Sequence, residues 1–208
     1  MYTPPAFRED DPAELRAIMR EARLATLVTA TAEGLVATPL PLFLDAGEGA
    51  FGTLYGHMAR ANPQWRLEPA GEALAIFAGP DAYVTPTFYP SKREHGKVVP
   101  TWNYAAVHAY GPVEFFEDEA RLRDAVTRLT DLYERPRAEP WAMTDAPERF
   151  IEAQLRGIVG VRLPIARIEG KRKMSQNRPQ ADRDGVASGL GASDSEADRR
   201  VAALVARG

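Results

Sequence analysis

Three short segments of the chain carry side chains that could bind a phosphorylated planar ring. The first runs from Gly56 to Trp65 and reads GHMARANPQW, with a basic side chain at Arg60 and a histidine at His57. Asn62 before Pro63 is typical of a helix start, because asparagine caps free N–H groups and proline suits the first helical position. Free N–H groups at a helix start attract phosphate. Taken alone, this segment is equally compatible with a phosphate site and with a solvated basic turn.

The other two segments supply aromatic faces and polar side chains. Residues 99–104 read VPTWNY, and residues 173–178 read KMSQNR. Trp102 and Tyr104 offer flat apolar surfaces, and Lys173 offers a further positive charge for a phosphate. Hydrogen-bonding groups that suit the edge of a heteroaromatic ring come from Asn103, Ser175, Gln176 and Asn177. The combination favours a flavin mononucleotide (FMN) site, although the two aromatic residues, taken alone, favour a core or a dimer contact over a contact with a ring.

Composition narrows the class of protein. The chain has 208 residues, of which 45% are hydrophobic and 26% charged, and its formal net charge is −3. These values are typical of a globular protein without a global positive field for nucleic acid. The absence of cysteine excludes disulfides and thiolate nucleophiles, and three widely separated histidines predict no metal site. No signal peptide or membrane-spanning run is recognisable, so we expect a cytoplasmic protein.

Hydrophobic periodicity predicts an α+β fold that is mainly β. Residues 24–30, 35–44 and 50–55 form an antiparallel meander in this interpretation. Further strands are expected at 73–78, 82–88, 105–116 and 158–168, with a turn at 79–81, and helices are expected after Asp11 and at 63–67, 118–133, 147–155 and 195–206. A small antiparallel barrel with flanking helices would remove exposed strand edges. We expect residues 1–190 to form one domain, with 191–208 as a helical tail packed on it.

Several long motifs resemble those of one protein family. They read YGHMARANPQW, AIFAGPDAYVTPTFY, PSKREHGKVVPTWNYAAVHAYG and KMSQNRP. They are similar to motifs of the PaiB family of FMN-binding negative transcriptional regulators, and the resemblance runs from Met1 to about Leu190. It implies an FMN-binding split β-barrel of the pyridoxamine-phosphate-oxidase type. It also implies a homodimer with two equivalent FMN sites in the clefts between protomers.

Together, the segments and the resemblance predict a set of cofactor-binding residues. Arg60 is the predicted phosphate anchor, because its guanidinium can make charge-assisted bonds to phosphate. The complete set is His57, Arg60, Asn62, Gln64, Trp102, Asn103, Lys173, Ser175 and Gln176. No acid–base pair or nucleophile is recognisable, so no catalytic residue is predicted.

Three functions remain compatible with the sequence. The resemblance implies an FMN-binding regulator that acts as a homodimer. The alternative is a small FMN-dependent oxidoreductase, such as a flavin reductase or a pyridoxamine-phosphate-oxidase-like enzyme, without a direct role at DNA. A third is a dimeric module whose flavin site is vestigial. DNA is a possible partner that neither charge nor motif supports, because no helix-turn-helix is recognisable and the basic cluster from Arg167 to Arg178 overlaps the proposed phosphate site.

Overall fold

The computed structural model describes residues 1–207, and this part of the chain contains nine strands and six α-helices. The strands are β1 (Arg8–Glu9), β2 (Leu24–Thr31), β3 (Gly34–Asp45), β4 (Thr53–Ala59), β5 (Ala73–Val84), β6 (Thr101–Gly111), β7 (Glu114–Phe116), β8 (Ile158–Pro164) and β9 (Arg167–Lys173). The α-helices are α1 (Pro12–Glu21), α2 (Ser91–His95), α3 (Glu119–Glu134), α4 (Glu148–Arg156), α5 (Gln180–Gly191) and α6 (Glu196–Arg207). Single 3₁₀ turns occur at Pro5–Phe7, Pro63–Arg66, Pro86–Phe88 and Met143–Asp145.

The chain divides into two compact units. Unit 1 comprises Met1–Ala22, Phe77–His108 and the chain from Glu169 onward, and unit 2 comprises Arg23–Ile76 and Ala109–Ile168. In unit 2 the strand order is β2-β3-β4-β8-β7, with antiparallel pairing throughout. In unit 1 the order is β1-β9-β6-β5, and β1 pairs antiparallel with β9. The predicted α+β fold with an antiparallel sheet and flanking helices is confirmed.

The predicted meander of β2, β3 and β4 is confirmed in unit 2. Strand β3 pairs with β2 as far as Pro41 and with β4 from Leu42 onward. Pro39 and Pro41 therefore lie where β3 pairs with β2 but not with β4, so their missing N–H groups break no bond to β4. Beside this sheet, α3 and α4 enclose a small apolar core made of Phe116, Leu122, Ala125, Ile151 and Leu155.

The predicted first helix is confirmed in unit 1. The Asp11 carboxylate accepts the N–H of Ala13 at 2.8 Å, as an N-cap does, and α1 begins at the following proline. The helix buries Leu15, Ile18 and Met19 at the spacing of one helical face.

The predicted turn at residues 79–81 is wrong, because β5 runs without interruption from Ala73 to Val84. Gly79 lies at a close approach between this strand and its neighbours. A Cβ at this position would lie 3.1 Å from Ala105 and 3.3 Å from the Ile18 side chain. Glycine within a strand often marks such a close approach. From the sequence alone, a glycine of this kind cannot be distinguished from a glycine in a turn.

Other strand boundaries also differ from the prediction, and the end of the predicted strand at 82–88 is the 3₁₀ turn Pro86–Phe88. Strand β4 starts at Thr53 and continues to Ala59, so the first four residues of the segment from Gly56 to Trp65 are strand and not loop. Strand β6 begins at Thr101, and it ends at the predicted Gly111–Pro112 bend. The predicted strand at 158–168 is two strands separated after Pro164, and β9 extends to Lys173. Lys171 and Lys173 therefore lie two apart on one strand and on the same face.

Helix α5 was not predicted, because its three glycines lower helix propensity. Two of them allow the helix to approach the 3₁₀ turn at Pro86–Phe88. A Cβ on Gly185 would lie 2.0 Å from the carbonyl oxygen of Phe88, and one on Gly189 would lie 2.3 Å from the Phe88 ring. These glycines therefore serve packing against Phe88.

Gly185→Ala should lower the free energy of unfolding by about 2 kcal/mol. Alanine improves helix propensity by about 1 kcal/mol, but overpacking against a backbone carbonyl costs about 3 kcal/mol. Urea unfolding followed by circular dichroism measures the difference. Gly191→Ala in the same helix is the control, since its Cβ would meet Ala202 at an ordinary 3.9 Å and stability should not fall. Equal effects of the two substitutions would contradict the packing argument.

The predicted C-terminal tail corresponds mainly to α6, which lies in unit 1. Its last residue, Gly208, lies outside the described residues, and the division into domains at 190 stays a prediction. Within the described part, no helix has both the length and the apolar composition needed to cross a membrane.

Candidate functional site

Arg60, the predicted phosphate anchor, follows β4 in unit 2 and is already bonded within that unit. Its Nε donates to the carbonyl oxygen of Arg156 at 2.7 Å, and its Nη2 donates to that of Ile158 at 3.3 Å. Its Nη1 forms an ion pair with the Glu117 carboxylate. The charge is therefore balanced inside the protein, and a phosphate at this guanidinium would compete with Glu117. A direct bond from Arg60 to a ligand stays a prediction.

Asn62 caps the turn that follows, as predicted. Its Oδ1 accepts the N–H of Gln64 at 2.9 Å, and its Nδ2 donates to the Thr38 hydroxyl at 2.9 Å. The element it caps is a single 3₁₀ turn, Pro63–Arg66. One turn aligns few peptide dipoles, so it attracts phosphate much less than a longer helix. The cap fixes the chain direction after β4.

Gln64 is fully buried and its amide is used within unit 2. Its Nε2 lies 3.0 Å from the Thr29 hydroxyl, 3.3 Å from the carbonyl oxygen of Leu27 and 3.4 Å from that of Val36. Its Oε1 accepts a hydrogen bond from the Thr38 hydroxyl at 2.5 Å. These bonds tie the turn to the β2–β3 hairpin. Gln64 thereby positions the segment, and a direct contact with a cofactor stays a prediction.

His57 lies in β4 opposite Gly160 of β8. Its Nδ1 is buried and has no hydrogen-bond partner among the described residues. Burial lowers the pKa of His57 below its usual value, so the ring is neutral at pH 7. An unpaired buried nitrogen is uncommon in folded proteins and fits a role in holding a ligand or a water.

The stability of the protein should fall as the pH is lowered below about 6.5, partly because of His57. Its pKa is lower in the folded chain than in the unfolded chain, so the unfolded state binds more protons between the two values. Stability is therefore fully present above the unfolded pKa and is lost as the pH falls toward the folded pKa. Burial also lowers the pKa of His108, which adds in the same direction.

Urea unfolding of His57→Gln at pH 7.5 and pH 5.5 tests this expectation. The difference in unfolding free energy between the two pH values should be smaller than in the wild type, although His108 leaves part of it. His95→Gln, which changes an exposed histidine, is measured in the same way for comparison. An unaltered pH dependence in His57→Gln would show that His57 is not desolvated in the folded state.

Lys173, at the end of β9 in unit 1, bonds only to neutral acceptors. Its Nζ donates to the Thr101 hydroxyl at 2.5 Å and to the carbonyl oxygen of Trp102 at 2.8 Å. Burial, and then the charges of Lys171 and Arg178, lower the pKa of Lys173 below its usual value. Three positive charges therefore act on one another in this part of unit 1. We call Lys171, Lys173 and Arg178 the cation cluster.

Within residues 1–207 no carboxylate forms an ion pair with a residue of the cation cluster. Lys171 is buried; its Nζ donates to the carbonyl oxygen of Tyr2 at 3.1 Å and lies 5.0 Å from the centre of the Tyr104 ring. The Arg178 guanidinium lies 4.8 Å from the centre of the Tyr89 ring. Aromatic faces stabilise a cation but do not neutralise it. An anionic group such as a phosphate is the natural complement of this cluster.

An exposed pair of aromatic rings adjoins the cation cluster. Trp102 is 53% exposed and Tyr83 is 49% exposed, and their rings meet edge to face with centres 5.7 Å apart. Two exposed aromatic side chains in contact form an apolar surface on which a planar ring could pack. The carbonyl oxygen of Trp102 also accepts the hydrogen bond from Lys173 Nζ. A planar ring bound on Trp102 and Tyr83 would therefore lie beside the positive charges of the cation cluster.

The remaining predicted residues of unit 1 shape the turn after β9. Asn103 and Ser175 are buried and bond to each other at 3.0 Å. Ser175 has φ 63°, a left-handed conformation that non-glycine residues seldom adopt and that occurs more often near functional sites. Gln176 accepts the N–H of Met174 at 2.6 Å and donates to the carbonyl of Arg172. These side chains hold the turn, and direct bonds from them to a cofactor stay predictions.

The two units bring together different subsets of the predicted residues. Unit 2 contains Asn62 and Gln64, which are bonded to each other, together with His57 and Arg60. Unit 1 brings together Trp102, Asn103, Lys173, Ser175 and Gln176. Lys171, Arg178 and Tyr83 were not predicted. The spacing of two residues between Lys171 and Lys173 could have indicated that both lysines lie on one face of a strand. That inference requires knowing that β9 extends to residue 173.

The side chains of unit 1 are chemically suited to the two parts of FMN, its phosphate and its ring. A phosphate dianion matches an uncompensated group of three cations, and an isoalloxazine ring matches an exposed aromatic pair next to that group. In unit 2, the unpaired Nδ1 of His57 is also compatible with a polar ligand atom, whereas the bonds of Gln64 and Arg60 are satisfied internally.

Sequence comparison identifies relatives across most of the chain. Residues 1–167 match the family model described as "Putative FMN-binding domain". The chain is 34% identical to the protein named protease synthase and sporulation protein PAI 2 of Bacillus subtilis, over 88% of this chain and 85% of that protein. It is also 34% identical to an uncharacterized protein of Emericella nidulans, over 99% of this chain and 96% of the relative.

Solved structures share the fold at low sequence identity. The flavocytochrome Anf3 of Azotobacter vinelandii aligns with a TM-score of 0.56 and 17% identity, over 80% of this chain and 69% of that one. The FAD and heme binding protein of Mycobacterium smegmatis aligns with a TM-score of 0.57 and 18% identity, over 80% and 73% of the two chains. The predicted split β-barrel fold and the predicted cofactor, FMN, are confirmed. The chain belongs to the FMN-binding domain family matched over residues 1–167, the PaiB family of split-barrel flavoproteins.

Proposed function

We propose that this chain is an FMN-binding regulator of gene expression that acts as a homodimer. The observation that carries the proposal is the 34% identity to the Bacillus protein over 88% of the chain. The name of that relative refers to sporulation, which is a process that a regulator of gene expression would influence. The absence of a recognisable acid–base pair or nucleophile in the sequence is consistent with a binding role.

Within unit 1, we infer that the cation cluster holds the FMN phosphate and that Trp102 and Tyr83 contact the ring. When bound, the flavin supplies electron-transfer chemistry through its ring. The side chains of the chain bind and orient it: Lys173 donates to phosphate oxygens, and the Asn103–Ser175 bond holds the turn that carries the lysine. Burial around Lys173 strengthens its attraction to an anion, because water screens the charge less there.

The homodimer is supported by exposed apolar side chains in unit 1. Trp102, Tyr83 and Val99 are each about half or more exposed, and aromatic side chains are enriched at the cores of protein interfaces. Light scattering after size exclusion should give about twice the chain mass of 22.9 kDa. A mass equal to one chain at micromolar concentration would rule out a stable dimer.

One set of measurements tests the proposed function against the oxidoreductase alternative. The purified protein is titrated with FMN and its visible spectrum recorded, and transcripts are compared between strains with and without the gene. We expect the purified protein to bind FMN and the transcript levels to differ between the two strains. A Lys173 variant that does not bind FMN should fail to restore the transcript levels of the strain that has the gene. Multiple-turnover oxidation of NADH or NADPH, with no change in transcripts, would favour the oxidoreductase. Lack of any FMN binding would remove the flavin from both functions.

A further inference from the structure

We propose that unit 1 binds a small zwitterion, such as an amino acid, in a partly enclosed pocket between α1, α6 and β9. The pocket has a volume of about 60 Å³ and is lined by two acidic and two basic residues, Glu14, Glu21, Arg172 and Arg207. We call it the α1–α6 pocket. None of these four residues belongs to the cation cluster, so the inference does not rest on the proposed function.

Helix α1 forms one wall of the α1–α6 pocket and places both acidic residues there. Glu14 and Glu21 are two helical turns apart, so they lie on the same face of α1 and are separated by about 10 Å along its axis. Ala17 and Ile18 lie between them in the helix and line the pocket with apolar atoms. The pocket therefore has negative charges at two positions along an apolar wall.

Strand β9 and helix α6 supply the two basic residues. Arg172 lies between Lys171 and Lys173 on β9, so its side chain points to the opposite face of the sheet from theirs. Its Nη2 donates to the carbonyl oxygen of Leu204 in α6 at 3.1 Å. Its Nε is buried and has no hydrogen-bond partner among the described residues. Arg207 follows Leu204 by three residues, at the end of α6, and is exposed.

The four charged residues of the α1–α6 pocket are not paired with one another. In the part of the chain that the structure describes, none of them forms an ion pair, and Arg172 uses one of its five N–H donors, in the bond to Leu204. Charges of both signs therefore border one cavity without meeting across it. A ligand that carries both signs can pair with both kinds of residue, while the apolar wall contacts its carbon atoms.

A zwitterion fits these residues better than other small ligands. A dicarboxylate would be repelled by Glu14 and Glu21, and a diamine would be repelled by Arg172 and Arg207. A ligand with one carboxylate and one ammonium can accept bonds from a guanidinium and donate to a glutamate. A water-sized group needs about 10–15 Å³ of such a cavity, so the pocket holds about four to six of them, and glycine has five non-hydrogen atoms.

An NMR titration of the ¹⁵N-labelled protein with glycine tests the proposal. FMN is present in excess, so that the carboxylate of glycine does not bind at the cation cluster instead. The amide signals of Arg172 and Ala17 should shift until they saturate, with a millimolar dissociation constant. Acetate and methylammonium each carry one of the two charges of glycine, and each should bind at least about tenfold more weakly because it loses one charge-assisted contact.

Two variants change the α1–α6 pocket in different ways. Arg172→Gln removes a charge and should weaken glycine binding about tenfold to hundredfold. Ala17→Leu keeps every charge but fills the pocket, and it should weaken binding to a similar extent even if Arg172→Gln does not fold. The control Arg20→Gln removes an exposed charge of α1 that does not line the pocket, and it should bind glycine as the wild type does. Thermal unfolding checks that each variant folds.

Several results would overturn the proposal. One is the absence of a saturable shift up to about 50 mM glycine, since a millimolar site would be filled at that concentration. Another is binding of acetate or methylammonium as tight as that of glycine, which would mean that the pocket does not recognise both charges. Full binding by a folded pocket variant, or an equal loss in Arg20→Gln, would place the glycine elsewhere.

Discussion

Lys173→Met should weaken FMN binding about tenfold to hundredfold. Methionine keeps most of the length and apolar volume of lysine but removes the charge and the donors. A charge-assisted contact contributes about 1.5–3 kcal/mol, which corresponds to a change of this size in the dissociation constant. The effect should be large at this position because Lys171 and Arg178 add their fields, and within residues 1–207 no carboxylate pairs with any of the three.

Titration with riboflavin, which has the ring of FMN but no phosphate, isolates the charge contribution. Lys173→Met should weaken FMN binding and leave riboflavin binding nearly unchanged. Arg60→Met is the informative comparison, since the sequence predicts Arg60 as the anchor while Glu117 already balances its charge. A phosphate-specific loss in Arg60→Met that exceeds the loss in Lys173→Met would restore Arg60 as the anchor and exclude the cation cluster from that role.

The sequence predicted those features of the fold that depend on neighbouring residues. The caps at Asp11 and Asn62 follow from side chains that bond two residues onward, and both are present. The β2–β3–β4 meander follows from short turns between apolar strands, which leave few other pairings. Features that depend on distant residues were missed. Gly79 resembles a turn glycine until Ala105 and Ile18 are known to pack against it.

The candidate site shows the same division between local and distant information. Residue types identified Lys173 and Trp102, but the pairing of Arg60 with Glu117 joins residues 57 positions apart and leaves no sequence signal. The bond between Ser91 and Asp182, which are 91 positions apart, likewise leaves no sequence signal.

Gln64→Ala should lower the free energy of unfolding by about 3 kcal/mol and leave the FMN dissociation constant of the folded protein unchanged. The substitution removes an amide with no exposed surface. It leaves the Thr29 and Thr38 hydroxyls and two strand carbonyls without that partner, and each buried group left unpaired costs about 1–3 kcal/mol. Partial relaxation around the small cavity keeps the total below the sum of these costs.

Urea unfolding gives the stability change, and FMN titration at low temperature, where the variant remains folded, gives the affinity. Gln154→Ala, which truncates an exposed glutamine on α4, should alter neither quantity. The opposite pattern, with stability retained and FMN affinity reduced, would mean that the amide of Gln64 turns from its internal partners toward the cofactor. Because the carbonyls of Leu27 and Val36 would then lose their bonds to Gln64, such a turn would require the β2–β3 hairpin to rearrange when FMN binds.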